Sequence, residues 1–159
     1  VRCTMYEAWF DSDGKEYDFQ DVIKSISDYV DLGGTIYVGT DSMLFTHKCV
    51  YATAICLHDC DMKVARYFYT KMRDKTPESK NLKHKITKEV SHSIDVAMLL
   101  LDRFPEAAIE IHADVGTSKR SATSKFVEFV RGWIRGSGFT AKVKPYSWAS
   151  STVADWHTK

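Results

Sequence analysis

Apolar residues recur along this chain at two spacings, one suited to helices and one to strands. Phe19, Val22, Ile23, Ile26, Tyr29 and Val30 repeat at helical intervals, with Asp18 ahead of them as an N-cap and Gly33 and Gly34 behind. This predicts an N-terminal helix over residues 17–32. Residues 1–16 read as an irregular segment, with Tyr6, Trp9 and Phe10 around the turn-like Asp11-Ser12-Asp13-Gly14. Three strands are predicted next, at Thr35–Thr40, Cys49–Leu57 and Met62–Thr70, the last two joined by the short turn His58-Asp59-Cys60-Asp61. A polar stretch, Lys71–Lys80, leads into a long helix over Asn81–Phe104, with Leu82, Ile86, Val90, Ile94, Ala97 and Leu101 on one stripe and Pro105 as its stop. Ala107–Ala113 reads as a buried strand. A helix ending near Arg135 follows, with Phe126, Phe129, Val130, Trp133 and Ile134 turned inward, then a strand over Phe139–Lys144 and a short helix within Ser150–His157.

Strand–helix–strand crossovers are right-handed and give parallel neighbours, whereas a meander gives antiparallel ones. The simplest sheet obeying both is a five-stranded mixed sheet in the order 3-2-1-4-5, flanked by helices, so an α/β fold is expected. Its first and fourth strands lie side by side and run the same way. At 159 residues, 44% hydrophobic and 27% charged, the chain suits one domain over residues 1–159.

The longest apolar run, Val96–Leu101, is far short of a membrane span, and no secretory signal is evident at the start. A cytoplasmic protein without membrane contact is expected. The cysteines at 3, 49, 56 and 60 form no CxxC pair and read as reduced thiols. His47, Cys49, Cys56, His58 and Cys60 raise the question of zinc. Cys49 and Cys56 are seven positions apart, however, and fall on opposite faces of a regular strand, so small buried thiols explain them better. Net charge is only +1, but residues 1–40 carry three Lys/Arg against eight Asp/Glu, and residues 115–159 carry eight against two. A basic last third suits a polyanion, or simply a solvated surface.

Asp41 and Asp114 stand at the ends of the first and fourth strands. Parallel and adjacent, those strands would set the two carboxylates about 5 Å apart at the backbone, on the edge where open α/β sheets bind ligands. Such a pair repels unless a cation intervenes, and hard oxygen ligands favour Mg²⁺ or Mn²⁺. The plainer alternative is a pair of strand-end turn formers.

Four segments resemble the YkuK-like family of ribonuclease-H-like proteins: Gly39-Thr-Asp-Ser42, the helix Leu82–Ala97, Ile111-His-Ala-Asp114-Val-Gly116, and the ending Ala149–Lys159 with its Asp155-Trp-His157. The likeness runs from about residue 17 onward, and the ending is its most specific part. The resemblance implies a ribonuclease-H-like fold with catalytic, metal-binding carboxylates at Asp41, Glu89, Asp114 and Asp155. Glu89 borders the apolar stripe of its helix. Asp95, six positions on and roughly 9 Å along the axis, cannot share its site. Two Mg²⁺ or Mn²⁺ ions about 3.5–4 Å apart would activate water and stabilise the leaving oxygen, giving a 3′-hydroxyl and a 5′-phosphate. By the same analogy Asp41 bridges both ions, Glu89 and Asp114 hold the one nearer the leaving group, and Asp155 holds the other. His157, two residues from Asp155, suits shuttling protons or ordering the water, the plainer alternative being an exposed terminal histidine.

Substrate contacts are expected from Ser42, from Gly116 and Thr117 as backbone donors ahead of a helix, and from Lys119, Arg120 and Lys159, with Lys142 and Lys144 near the same edge. Trp148 and Trp156 suit base stacking or packing. The expected function is a metal-dependent nuclease acting on RNA, an RNA/DNA hybrid or DNA. The alternative is a non-catalytic module of the same fold that binds nucleic acid or a protein. A nucleotide-binding domain of the sugar-kinase kind is set aside, since no Gly-rich phosphate loop or second lobe is present.

Overall fold

The structure is a computed structural model and describes residues 8–58 and 64–159. Cys3, Tyr6, Asp59, Cys60, Asp61 and Met62 lie outside the described residues. In chain order the regular elements are β1 (Trp9–Asp11), β2 (Glu16–Tyr17), α1 (Phe19–Asp31), β3 (Ile36–Leu44), β4 (Cys49–His58), β5 (Val64–Asp74), α2 (Leu82–Arg103), β6 (Ile109–Ala113), α3 (Val127–Gly136) and β7 (Thr140–Val143). They build one sheet in the order β2-β1-β5-β4-β3-β6-β7. It is mixed: β3, β6 and β7 run parallel and the other pairings are antiparallel.

The expected count of five strands is corrected to seven, because residues 9–17 are a hairpin rather than an irregular segment. One Asp11 carboxylate oxygen accepts the N–H groups of Asp13 and Lys15 at 2.9 and 3.0 Å, and its other oxygen takes the Tyr17 hydroxyl at 3.0 Å. That closes the turn and lets Phe10 and Asp11 pair with Tyr69 and Phe68 of β5. Trp9 is then fully buried beside Phe19. The polar stretch after residue 70 also departs from expectation. β5 runs on to Asp74 because it pairs with the start of β4, Cys49 opposite Asp74, before a 3₁₀ turn at Pro77–Lys80.

Helix α1 starts where Asp18 accepts the N–H of Asp21 at 2.8 Å and ends at Gly33, whose φ of 81° suits a residue without a Cβ. The long helix α2 is capped by Asn81, which accepts from the N–H of His84. Its buried face is Ile86, Glu89, Val90, Ser93, Val96, Ala97 and Leu100. Leu82, placed on the stripe by its spacing, is exposed, as is Phe129 of α3. In α3 the inward face is Val127, Val130 and Ile134.

Alternation along the strands sorts the sheet into two layers. Ile36 and Val38 of β3, Ile55 and Leu57 of β4, Phe68 of β5, and Ile109 and Ile111 of β6 join α1, α2 and α3 in the main core. The opposite face carries Ala54 and Cys56, packed with Ala149, Ala154, Tyr37, Tyr67, Tyr69 and Trp148. A closing segment that includes a wide, π-type turn at Ala149–Ala154 covers this face. Gly39 lets it approach: a Cβ there would lie 2.6 Å from the carbonyl carbon of Ala149 and against the nitrogen of Ser150. Backbone meets backbone at this point, so neither side has a flexible atom to move away.

Gly39→Ala is therefore expected to lower stability by about 1–3 kcal/mol and to expose residues 147–159 to limited proteolysis. Urea denaturation and mass spectrometry of the digest read both effects.

Candidate active site at the strand exits

The parallel ladder between β3 and β6 ends with Thr40 opposite Ala113, and that between β6 and β7 ends with Ala113 opposite Val143. The next residue on each strand path is Asp41, Asp114 and Lys144 respectively, so these three stand in a row along one edge. β3 does not end at Asp41, as expected, but runs to Leu44 by pairing with β4. Asp114 is the first residue past β6.

Alternation also decides which way each group of β3 turns. Thr40 and Ser42 face α2. The Thr40 hydroxyl meets those of Ser93 at 2.8 Å and Thr53 at 2.9 Å. The Ser42 hydroxyl donates to Glu89 Oε1. Glu89, only 9% exposed, lines a crevice between α2 and β6 with Asp114 and Thr40. Asp95 lies exposed on the same helix. Asp41, on the other face of β3, is 8% exposed and hydrogen-bonds Asp155 of the closing segment. Each of the four carboxylates comes from a different stretch of sequence.

Crowding out of water shifts the protons of Asp41 and Glu89. Burial, then the hydrogen bond with Asp155 and the charge of Asp114, pushes Asp41 up to about 7. Burial pushes Glu89 up to about 8, with the charges of Asp41 and Asp114 adding to it and the Ser42 hydroxyl and Lys85 opposing it. A hydrogen bond between two carboxyl groups needs a proton, which the raised Asp41 supplies. Asp114 is answered differently, by Lys144 Nζ at 2.8 Å from its Oδ1.

The closing segment delivers Asp155 through neighbours that spacing alone did not single out. His112, buried in β6, accepts the N–H of Ala149 on Nδ1 at 3.0 Å and donates from Nε2 to Glu110 at 2.8 Å. Burial keeps its ring neutral, which fixes that tautomer. Trp148 stacks on His58 with ring centroids 4.5 Å apart. His157, expected beside the attacking water, sits instead on β5: its Nε2 lies 2.9 Å from the Tyr67 hydroxyl and its ring stacks on Tyr69 at 3.6 Å. Burial, and then Lys71, lowers its proton affinity.

The remaining candidates divide. Ser42 is turned to Glu89. The N–H of Gly116 donates to Thr123 Oγ1 at 2.8 Å, inside a loop that reaches α3 only at Val127, so it is neither free for phosphate nor at a helix start. Thr117, Lys119, Arg120, Lys142 and Lys159 are exposed. Trp156 is 74% exposed, whereas Trp148 is held by its stack. Cys49 and Cys56 are buried free thiols, Cys56 on the face under the closing segment. Among the described residues no helix is long and apolar enough to cross a membrane.

A family model described as "Ribonuclease H-like" matches residues 18–159. The chain belongs to the ribonuclease H-like family. It is also 26% identical over 162 residues to the YkuK protein of Bacillus subtilis (strain 168), covering 89% of this chain and 91% of that protein. No solved structure matches it significantly. The ribonuclease H-like assignment takes in β3, α2, β6 and the closing segment, the four stretches that carry the carboxylates, and leaves out β1 and β2.

The fold family implies divalent ions at this edge. The donors are of the right kind: hard oxygens, two of them pushed up first by burial and then by neighbouring carboxylates. They are not gathered around one point, however: among the described residues no three such side chains stand together to hold one ion.

The raised carboxyls carry a sign for stability. Groups whose folded pKa lies above the unfolded value stabilise the fold at low pH and lose that contribution as pH rises through the folded pKa. His92, His112 and His157 are held neutral and act below about pH 6.5. Between pH 6.5 and 8, in a chelator, stability is expected to fall by roughly 1–3 kcal/mol. Glu89→Gln is expected to flatten the slope and to be the more stable protein at pH 8; urea melts at each pH measure this.

Proposed function

We propose that this chain is a divalent-metal-dependent nuclease that hydrolyses phosphodiester bonds in RNA, an RNA/DNA hybrid or DNA, with Asp41, Glu89, Asp114 and Asp155 as the metal ligands. What supports the reading is that Asp41, bonded to Asp155, also feels the charge of Asp114, and that Glu89 feels the charges of both Asp41 and Asp114. Held by these carboxylates, Mg²⁺ or Mn²⁺ would supply a water activated for attack and positive charge to stabilise the leaving oxygen.

The chain's own residues do the rest. Asp41 bonds Asp155 on the side of the closing segment, and its charge reaches Glu89 on the α2 side. Ser42 orients Glu89. His157, through Tyr67 and Tyr69, fixes the turn that bears Asp155 and acts on the site by position. Exposed Lys119, Arg120, Lys142 and Lys159 give a polyanion charges to follow, and Trp156 offers a face for a base.

A second reading, a non-catalytic module that binds nucleic acid or a protein partner, draws on the carboxylates not being gathered around one point and on the ion pair between Asp114 and Lys144. One assay separates the two. Labelled RNA, hybrid and DNA are incubated with the protein and Mg²⁺ or Mn²⁺. Cleavage leaving 5′-phosphate ends is expected, with a loss in Asp41→Asn beyond the roughly hundredfold typical of an outer-shell partner. Binding without cleavage, unchanged in Asp41→Asn, would favour the module.

A further inference from the structure

A run of cations lies on the side of β3 away from Asp114, and strand register fixes its place. Asp41 lies opposite Ala52 of β4, and Ala52 opposite Lys71 of β5, so the three side chains share one face of the sheet. Two strand spacings put the Lys71 backbone about 10 Å from that of Asp41. Arg73 follows on the same face, in line with Val50 and Met43. The charge of Lys71 acts on His157, which stacks on Tyr69 of that face. Beyond the strand, buried Asp74 accepts the N–H and hydroxyl of Thr76 at 2.9 and 2.7 Å and the ammonium of Lys88 at 2.8 Å, tying the end of β5 to the start of α2. Lys75, Lys80 and Lys83 ride on that connection, and all five cations are exposed. Among the described residues none of the five pairs with a carboxylate, whereas Lys144 is held by Asp114. The β3–β4 turn ends beside them, since Leu44 lies opposite Cys49 and Cys49 opposite Asp74. Phe45 of that turn is exposed, with Lys48 Nζ 5.5 Å from its ring centre.

We propose that this run is the docking surface for the backbone of a single-stranded nucleic acid, which crosses β5 and reaches Asp41 along the row from Lys71. The inference rests on the nucleic-acid reading given above and adds the path of the strand. Alternate residues of a β-strand are about 7 Å apart, close to the spacing of successive phosphates in an extended polynucleotide. Lys71 and Arg73 therefore fit neighbouring phosphates of one strand. No internal ion pair has to break, so each phosphate neutralised releases counter-ions at no cost in protein contacts. A duplex hides its base faces in the stack. A single strand turns them outward, and Phe45 supplies a ring for one of them.

The test is binding of a short fluorescein-labelled RNA, and of DNA of the same sequence, read by anisotropy in a chelator so that no strand is cut. Wild type is compared with the neutral pair Lys71→Gln/Arg73→Gln and the charge-keeping pair Lys71→Arg/Arg73→Lys. A third pair, Lys24→Gln/Arg135→Gln, removes two exposed charges from α1 and α3. Each protein is checked for a cooperative thermal transition. The neutral pair at 71 and 73 is expected to lose roughly tenfold in affinity at about 0.1 M salt, with a salt slope shallower by about 1–2. The other two pairs are expected to stay close to wild type. An equal loss in the α1 and α3 pair overturns the inference, since net charge alone would then suffice. Unchanged affinity in the neutral pair, with wild type binding, also overturns it and leaves the nucleic-acid reading standing. A blunt duplex bound as tightly as the single strand, or polyglutamate competing as well as unlabelled strand, overturns the choice of ligand. Absence of binding by wild type to single strand and duplex alike overturns the nucleic-acid reading and this inference with it.

Discussion

Like charges brought together away from water must lose charge or gain a partner, and that constraint organises the edge where β3, β6 and β7 leave the parallel part of the sheet. Each carboxylate meets it in its own way. Asp41 keeps a proton and shares it with Asp155. Glu89 keeps a proton in its crevice and takes the Ser42 hydroxyl. Asp114 takes the ammonium of Lys144. None of these answers requires a ligand.

The arrangement depends on both faces of one strand. Thr40 and Ser42 reach α2 through the helix-covered side, while Gly39 and Asp41 look out to the side under the closing segment. Gly39 admits that segment, His112 grips its backbone at Ala149, and Trp148, Tyr67 and Tyr69 pack its flanks. The route from sequence to site therefore runs through a missing Cβ and a neutral imidazole as much as through the carboxylates. A wide π-type turn in the segment is in keeping with its place beside the cluster.

Much of this was legible in the chain, for physical reasons. The helical periods of α1 and α2 are long and well capped, so their existence follows from Asp18, Asn81 and the spacing of Val22, Ile26, Ile86 and Val90. Asp41 and Asp114 stand out because each follows an apolar strand. Glu89 does not: its period fits a solvated glutamate as well, and only likeness to the family singled it out. The β1–β2 hairpin was missed because strands of three and two residues show no alternation, and what closes the hairpin is the Asp11 carboxylate. Leu82 and Phe129 were placed inside by spacing, yet the first turn of α2 and the outer side of α3 stay in solvent. Lys144 read as one basic residue among several, since its partner lies across a parallel pairing that no local pattern reveals.

The most direct test of the convergence is anomalous diffraction from crystals soaked in Mn²⁺ at a pH above 8, where Asp41 and Glu89 give up their protons. Anomalous peaks are expected between Asp41 and Asp114, with Asp155 or Glu89 as a further ligand. Crystals that show no peak there, or that show Asp41 and Asp114 directed to opposite sides of the sheet, would contradict it.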